Sequence, residues 1–194
     1  LQIVGLVALL LFTVFITWRA KKIERALASH DSISSLNGKP APNFSLDSLN
    51  GHKVSLADYR GKKKVVISYW ASWCEPCRVE LPEMKRFYEK YHKDDSDFEF
   101  VAISIDDDRE SAETYAQKAK LPFPVLLDHG HEAADAYSVE AIPATFIVDK
   151  DGKVKQTQTG LDEAMEVKLA IQLGINLDTG AGRLGRKSDD DGGN

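Results

Sequence analysis

One stretch of the chain constrains its fold more than any other. Val65 to Trp70 reads Val-Val-Ile-Ser-Tyr-Trp, an apolar and largely β-branched run with the character of a buried strand. It runs directly into Trp73-Cys74-Glu75-Pro76-Cys77, and helical spacing follows over 75–92, with Val79, Leu81, Met84, Phe87, Tyr88 and Tyr91 as the apolar positions. A strand apolar on both faces must be covered on both sides, which calls for helices above and below the sheet. Further alternation agrees: strands are expected at 98–105 and 125–127, helices at 109–119 and 132–137, strands at 144–149 and 153–159, and a closing helix at 162–173. Asp149-Lys150-Asp151-Gly152 joins the last two strands as a hairpin turn. Two extended pieces, 43–47 and 52–56, flank Asn50-Gly51 as an N-terminal hairpin. The fold class is therefore α/β, a mixed central sheet with helices on both faces.

The only two cysteines of the chain, Cys74 and Cys77, sit where that first strand hands over to the helix. Free amide groups and the helix dipole stabilise an anion at a helix N-terminus, so Cys74 there is the more easily ionised thiol. A thiolate attacks a disulfide sulfur, and a second cysteine two residues on can resolve the mixed disulfide. Pro76 suits the first turn, where its missing N–H is not needed. Two cysteines cannot build a disulfide framework, nor do they alone supply the four ligands of a structural zinc site. Dithiol redox is the favoured chemistry, and no metal site is expected.

Charge and length bound the rest. Thirty acidic residues against 25 basic ones in 194 leave a formal charge of -5, which argues against nucleic acid as a partner. Residues 1–18 carry no charge, and an 18-residue helix would reach roughly 27 Å, close to the bilayer's hydrocarbon thickness. A single N-terminal transmembrane anchor is expected, since the run lacks a small-residue cleavage pattern. Because the chain starts at Leu1 rather than Met, further residues are expected upstream. Residues 19–37 read as a linker, 38–175 as the domain, and the Gly-, Arg- and Asp-rich 176–194 as a disordered tail. Arg19, Lys21, Lys22 and Arg25 follow the span, and on charge alone they place that flank in the cytoplasm. Asp106, Asp107 and Asp108 read as a solvated helix entrance.

The strand followed by Trp-Cys-Glu-Pro-Cys, Pro82 inside the next helix, and Ile142-Pro143-Ala144-Thr145-Phe146 before a strand together resemble the thioredoxin superfamily. The opening Gly38 to Asn43, the leading hairpin and the longer segment before Pro143 are similar to its membrane-tethered TlpA/ResA-like thiol-disulfide oxidoreductases, within the redoxin (AhpC/TSA-related) group, over about 38–173. The resemblance implies a three-layer thioredoxin-like fold, with Cys74 attacking, Cys77 resolving and a cis Pro143 that presents the Ile142 backbone to an extended substrate. Trp73, Glu75 and Pro76 would contribute to the substrate surface, with Trp73 partly covering Cys74. Gly160 matches a family glycine that lets backbone pack near the site. No dissociable cofactor is implied, the redox group being the Cys74–Cys77 disulfide. Implied partners are client protein disulfides, an oxidised apocytochrome c among them, and a membrane thiol-electron donor. The domain would then lie on the extracytoplasmic side of a bacterial cell membrane, the opposite of what the positive flank indicates.

Two places depart from plain thioredoxin. The buried acid six residues before the first cysteine is replaced by Ser68, and Glu80 follows Cys77 by three residues on the same helix face. ResA-like proteins carry a glutamate here that takes part in proton chemistry, so Glu80 is the expected proton carrier. Glu75 and Glu80 would raise the thiol pKa while the helix dipole lowers it. A peroxiredoxin-like thiol peroxidase is the nearest rival, but the Thr or Ser and the Pro that such enzymes place upstream of the reactive cysteine are here Ala71 and Ile67. A copper or thiol chaperone is the non-enzymatic alternative; Met84 and Met165 are far from the motif, and His129-Gly130-His131 is the only close histidine pair.

Overall fold

The computed structural model describes residues 11–21, 24 and 32–177. Strands are β1 Ser45–Ser48, β2 Lys53–Ser55, β3 Lys64–Trp70, β4 Phe98–Ser104, β5 Val125–Leu127, β6 Ala144–Val148 and β7 Val154–Thr159. Helices are α1 Glu75–Tyr91, α2 Arg109–Ala119, α3 Glu132–Ala136 and α4 Met165–Leu173, with a 3-10 turn at Leu56–Tyr59. The strands form one mixed sheet in the order β2-β1-β5-β4-β3-β6-β7. β3 pairs parallel to β4 and antiparallel to β6, and the N-terminal hairpin joins the sheet through β1 and β5.

The alternation along β3 explains the layers. Val66 and Trp70 face one side, where they pack with Leu81, Met84 and Phe87 of α1, Ala112 and Ala116 of α2, and Leu169 and Leu173 of α4. Val65, Ile67 and Tyr69 face the other, against Ala133, Ala134 and Tyr137 around α3 and Leu56 of the 3-10 turn. Tyr69, Tyr137 and Phe146 meet there ring against ring, Tyr137 and Phe146 edge-on at 4.8 Å. Two faces thus bury two separate apolar clusters, as a strand without a polar face requires.

Three sequence expectations change in detail. The closing helix starts at Met165 instead of 162, with Ala164 at its N-cap, because the chain first makes a turn at Asp162, whose carboxylate accepts from Ala164 N–H at 2.9 Å and whose carbonyl accepts from Met165 N–H at 3.1 Å. Within the expected linker, Ile33 is 1% exposed and belongs to the second cluster, and Gly38 N–H bonds to the Val154 carbonyl at 2.7 Å. The last turn before Gly38 is therefore packed on the domain. Residues 11–21 are helical and exposed, but among the described residues no helix is long and apolar enough to cross a membrane. The first ten residues of the expected span, and 178–194 of the expected tail, lie outside the described residues.

Candidate active site

Cys74 and Cys77 are joined by a disulfide, S–S 2.05 Å, at the C-terminal end of the central parallel strand. Cys74 is the N-cap of α1 and Glu75 its first residue; the Cys77 N–H points at Cys74 Sγ at 3.3 Å. This is the amide environment that favours a thiolate. Pro76 lies in the first turn, where no intrahelical donor is lost, and Pro82 lies inside the helix. Both cysteines are buried, whereas the neighbouring Trp73 is 68% exposed and Glu75 extends into solvent beside Arg78 at 3.5 Å.

The register between β3 and β6 brings a second segment to the same end. Tyr69 pairs with Ala144, so the loop leaving β3 toward Cys74 and the loop entering β6 through Ile142-Pro143 emerge side by side. The Ile142–Pro143 peptide bond is cis. Lacking an N–H, Pro143 offers its carbonyl, which accepts from Gly160 N–H at 2.7 Å. Gly160 has φ 77°, a left-handed conformation that favours glycine, and nothing lies within 4 Å of where a Cβ would stand. Backbone does pack here, as the Gly160–Pro143 bond shows, and the positive φ is what calls for glycine at the position.

Glu80 completes the cluster. It is 1% exposed, one turn beyond Cys77. Its Oε1 accepts from Thr145 Oγ1 at 3.0 Å and, at the long limit of 3.5 Å, from Ser68 Oγ. Those hydroxyls stand opposite each other across the β3–β6 ladder. Burial pushes the carboxyl up from 4.5 to about 7; the Thr145 and Ser68 hydrogen bonds pull it down, and the charges of Asp162 and Glu83 add to the rise. A carboxyl poised there exchanges its proton near neutral pH.

Asp106 does not belong to a solvated helix entrance. It is buried and tied to Ser72 in the loop before Cys74, while Asp108 caps α2 through Ser111 at 2.7 Å. Sequence reasoning misplaced Asp106 and gave no role to Ser72 or to the hydroxyls of Ser68 and Thr145, although Thr145 stood within the quoted proline motif. Among the described residues no three His, Cys, Asp or Glu side chains gather as a metal site.

The comparisons with known proteins agree with this geometry. Residues 37–157 match the AhpC/TSA family, most of the folded chain. Thiol-disulfide oxidoreductase ResA of Geobacillus kaustophilus is 40% identical over 123 residues, covering 63% of this chain and 69% of that protein. ResA of Bacillus subtilis is 36% identical over 133 residues, covering 69% and 72%. Among solved structures, a putative thiol:disulfide interchange protein DsbE from Chlorobium tepidum superposes with a TM-score of 0.65 at 31% identity, over 71% of this chain and 94% of its own. The chain belongs to the AhpC/TSA family of thioredoxin-like proteins and is an enzyme of the thiol-disulfide oxidoreductase class. Its similarity within that class is to the ResA and DsbE proteins.

Proposed function

We propose that this enzyme reduces disulfides of extracytoplasmic client proteins through the Cys74–Cys77 dithiol, an oxidised apocytochrome c being one such client. The observation that carries the reading is the Cys74–Cys77 pair at the N-terminus of α1, with the buried Glu80 one helical turn beyond Cys77. In the reduced enzyme the Cys74 thiolate attacks one sulfur of the client disulfide, forming a mixed disulfide and releasing the other client sulfur, which takes a proton. Cys77 gives its proton to the Glu80 carboxylate and attacks Cys74 Sγ, breaking the mixed disulfide and releasing the second client sulfur, which takes up a proton in turn. Two electrons pass to the client and the Cys74–Cys77 disulfide remains. The Ile142–Pro143 edge and exposed Trp73 flank the approach to the sulfurs.

In this reading no dissociable cofactor takes part, a membrane thiol-electron donor returns the enzyme to the dithiol, and the apolar N-terminal run anchors it to the cell membrane. Those three points rest on the apolar N-terminal run and on the resemblance drawn from the sequence motifs. A Cys77→Ser variant tests the client chemistry: it should hold clients as mixed disulfides on Cys74 that dithiothreitol releases. Failure to trap any disulfide-bearing protein in the native envelope would contradict the proposal. Reporter fusions after residue 37 test sidedness, and a cytoplasmic result would remove the localisation while leaving the chemistry.

A further inference from the structure

A second carboxylate stands at the end of β4, outside the exchange steps above. Asp106 is 1% exposed and lies two residues past Ser104, which pairs with Trp70 at the end of β3. Both of its oxygens accept from Ser72 N–H at 3.0 Å. Oδ1 also accepts from the Ser72 hydroxyl and Oδ2 from the Ser104 hydroxyl, each at 2.8 Å. The Ser104 oxygen in turn receives Asp106 N–H at 3.0 Å, and the Asp106 carbonyl meets Nδ1 of His129 at 2.9 Å. Burying a charge is costly unless its lone pairs are met, and here they are met by Ser72 in the loop that carries Cys74 and by Ser104 at the end of β4. Ser72 stands two residues before Cys74, at most about 7 Å of chain. The Ile105 N–H to Trp70 carbonyl bond, 2.9 Å, and the Cys74 N–H to Ala71 carbonyl bond, 3.1 Å, hold both sides of that loop in place.

We propose that Asp106 is a positioning residue of the redox loop: through Ser72 it fixes the approach to Cys74, and the negative charge it holds on that loop disfavours the thiolate and keeps the couple reducing. The inference rests on the oxidoreductase reading. Taking up two electrons and two protons converts the disulfide to the dithiol, and whatever stabilises the Cys74 thiolate stabilises that reduced form and raises the potential. A fixed anion in a poorly polarisable interior acts the other way. The Ser72 and Ser104 hydroxyls spread the charge, so deleting the charge and deleting a donor have opposite signs. A purely mechanical tie would give the same sign in both, since either change loosens one loop.

The test equilibrates the full chain in detergent with glutathione buffers at pH 7. Asp106→Asn should move the exchange constant about tenfold toward the dithiol, a rise of about 30 mV. Ser72→Ala should move it about twofold to threefold toward the disulfide. Shifts of the same sign in both variants, or no shift in Asp106→Asn while urea unfolding stays cooperative, overturn the proposal. Should Asp106→Asn fail to fold, Ser72→Ala and Ser104→Ala keep the carboxylate and decide by sign: a shift toward the disulfide supports it, and anything else overturns it. A wild-type chain without a reversible couple removes the oxidoreductase reading itself, whereas a normal wild-type couple with unmoved variants removes only the role of Asp106.

Discussion

Thr145 on β6 donates its hydroxyl proton to Oε1 of Glu80 on α1 at 3.0 Å, across 65 positions of sequence and away from solvent. With Ser68 aimed at the same oxygen, the donors of the sheet converge on Oε1. The proton of neutral Glu80 accordingly belongs on Oε2. Glu80→Gln keeps the shape and removes that proton exchange. Disulfide exchange at pH 7 is expected to slow about a hundredfold, the low end of general acid–base catalysis. The inflection near pH 7 in its pH–rate profile should vanish with it, which stopped-flow Trp fluorescence measures directly.

Thr145→Val tests the hydrogen bond separately. Because that bond favours the ionised carboxylate, its loss should carry the Glu80 midpoint upward from about 7. The expected cost in stability is about 1 kcal/mol, appearing above the midpoint where the carboxylate has lost a donor. A carboxyl carbon NMR titration reads the midpoint, and an unchanged or lowered value would show that Thr145 does not tune this group.

Glu80 also gives the oxidised protein a pH-dependent stability of defined sign. Its folded value, about 7, lies above its ordinary 4.5, so the folded state holds the proton more tightly than the unfolded chain does. The contribution is fully present below 4.5 and is lost as pH rises through 7; over that window it amounts to about 3 kcal/mol. Urea unfolding of the wild type should show this fall, and Glu80→Gln should flatten it. A wild type whose stability rises from pH 5 to 7 by as much as the variant's would exclude the effect.

Ile33 tests where the folded unit begins. Buried among Phe44, Leu56 and Val154, it should cost about 2 kcal/mol or more when cut to alanine. A change within 0.5 kcal/mol, the range of ordinary surface substitutions, would mean that the segment before Gly38 is an appendage.

Much of this architecture was legible in the chain. β3, β4, α1 and α2 could be read to within a residue because continuous β-branched runs and helical spacing are strong local signals, and Cys74, Cys77 and Pro143 lie in recognisable motifs. What escaped depended on pairing between distant segments. Asp106 looks like part of an acidic helix entrance, but it follows a buried strand end at which its side chain turns inward to Ser72. Ile33 is a single apolar residue among serines, and its burial is set by where the chain meets Val154. Glu80 was read as a proton carrier from resemblance; its environment arises only once the register sets Ser68 opposite Thr145.

The reduction potential of the Cys74–Cys77 couple tests the central claim most directly. With the chain equilibrated in dithiothreitol or glutathione buffers and its thiols counted by alkylation and mass, a reversible two-electron couple near or below roughly -270 mV is expected, the range of a reductant. A value toward roughly -120 mV would make the protein a disulfide donor, and no reversible couple at all would contradict the dithiol chemistry outright.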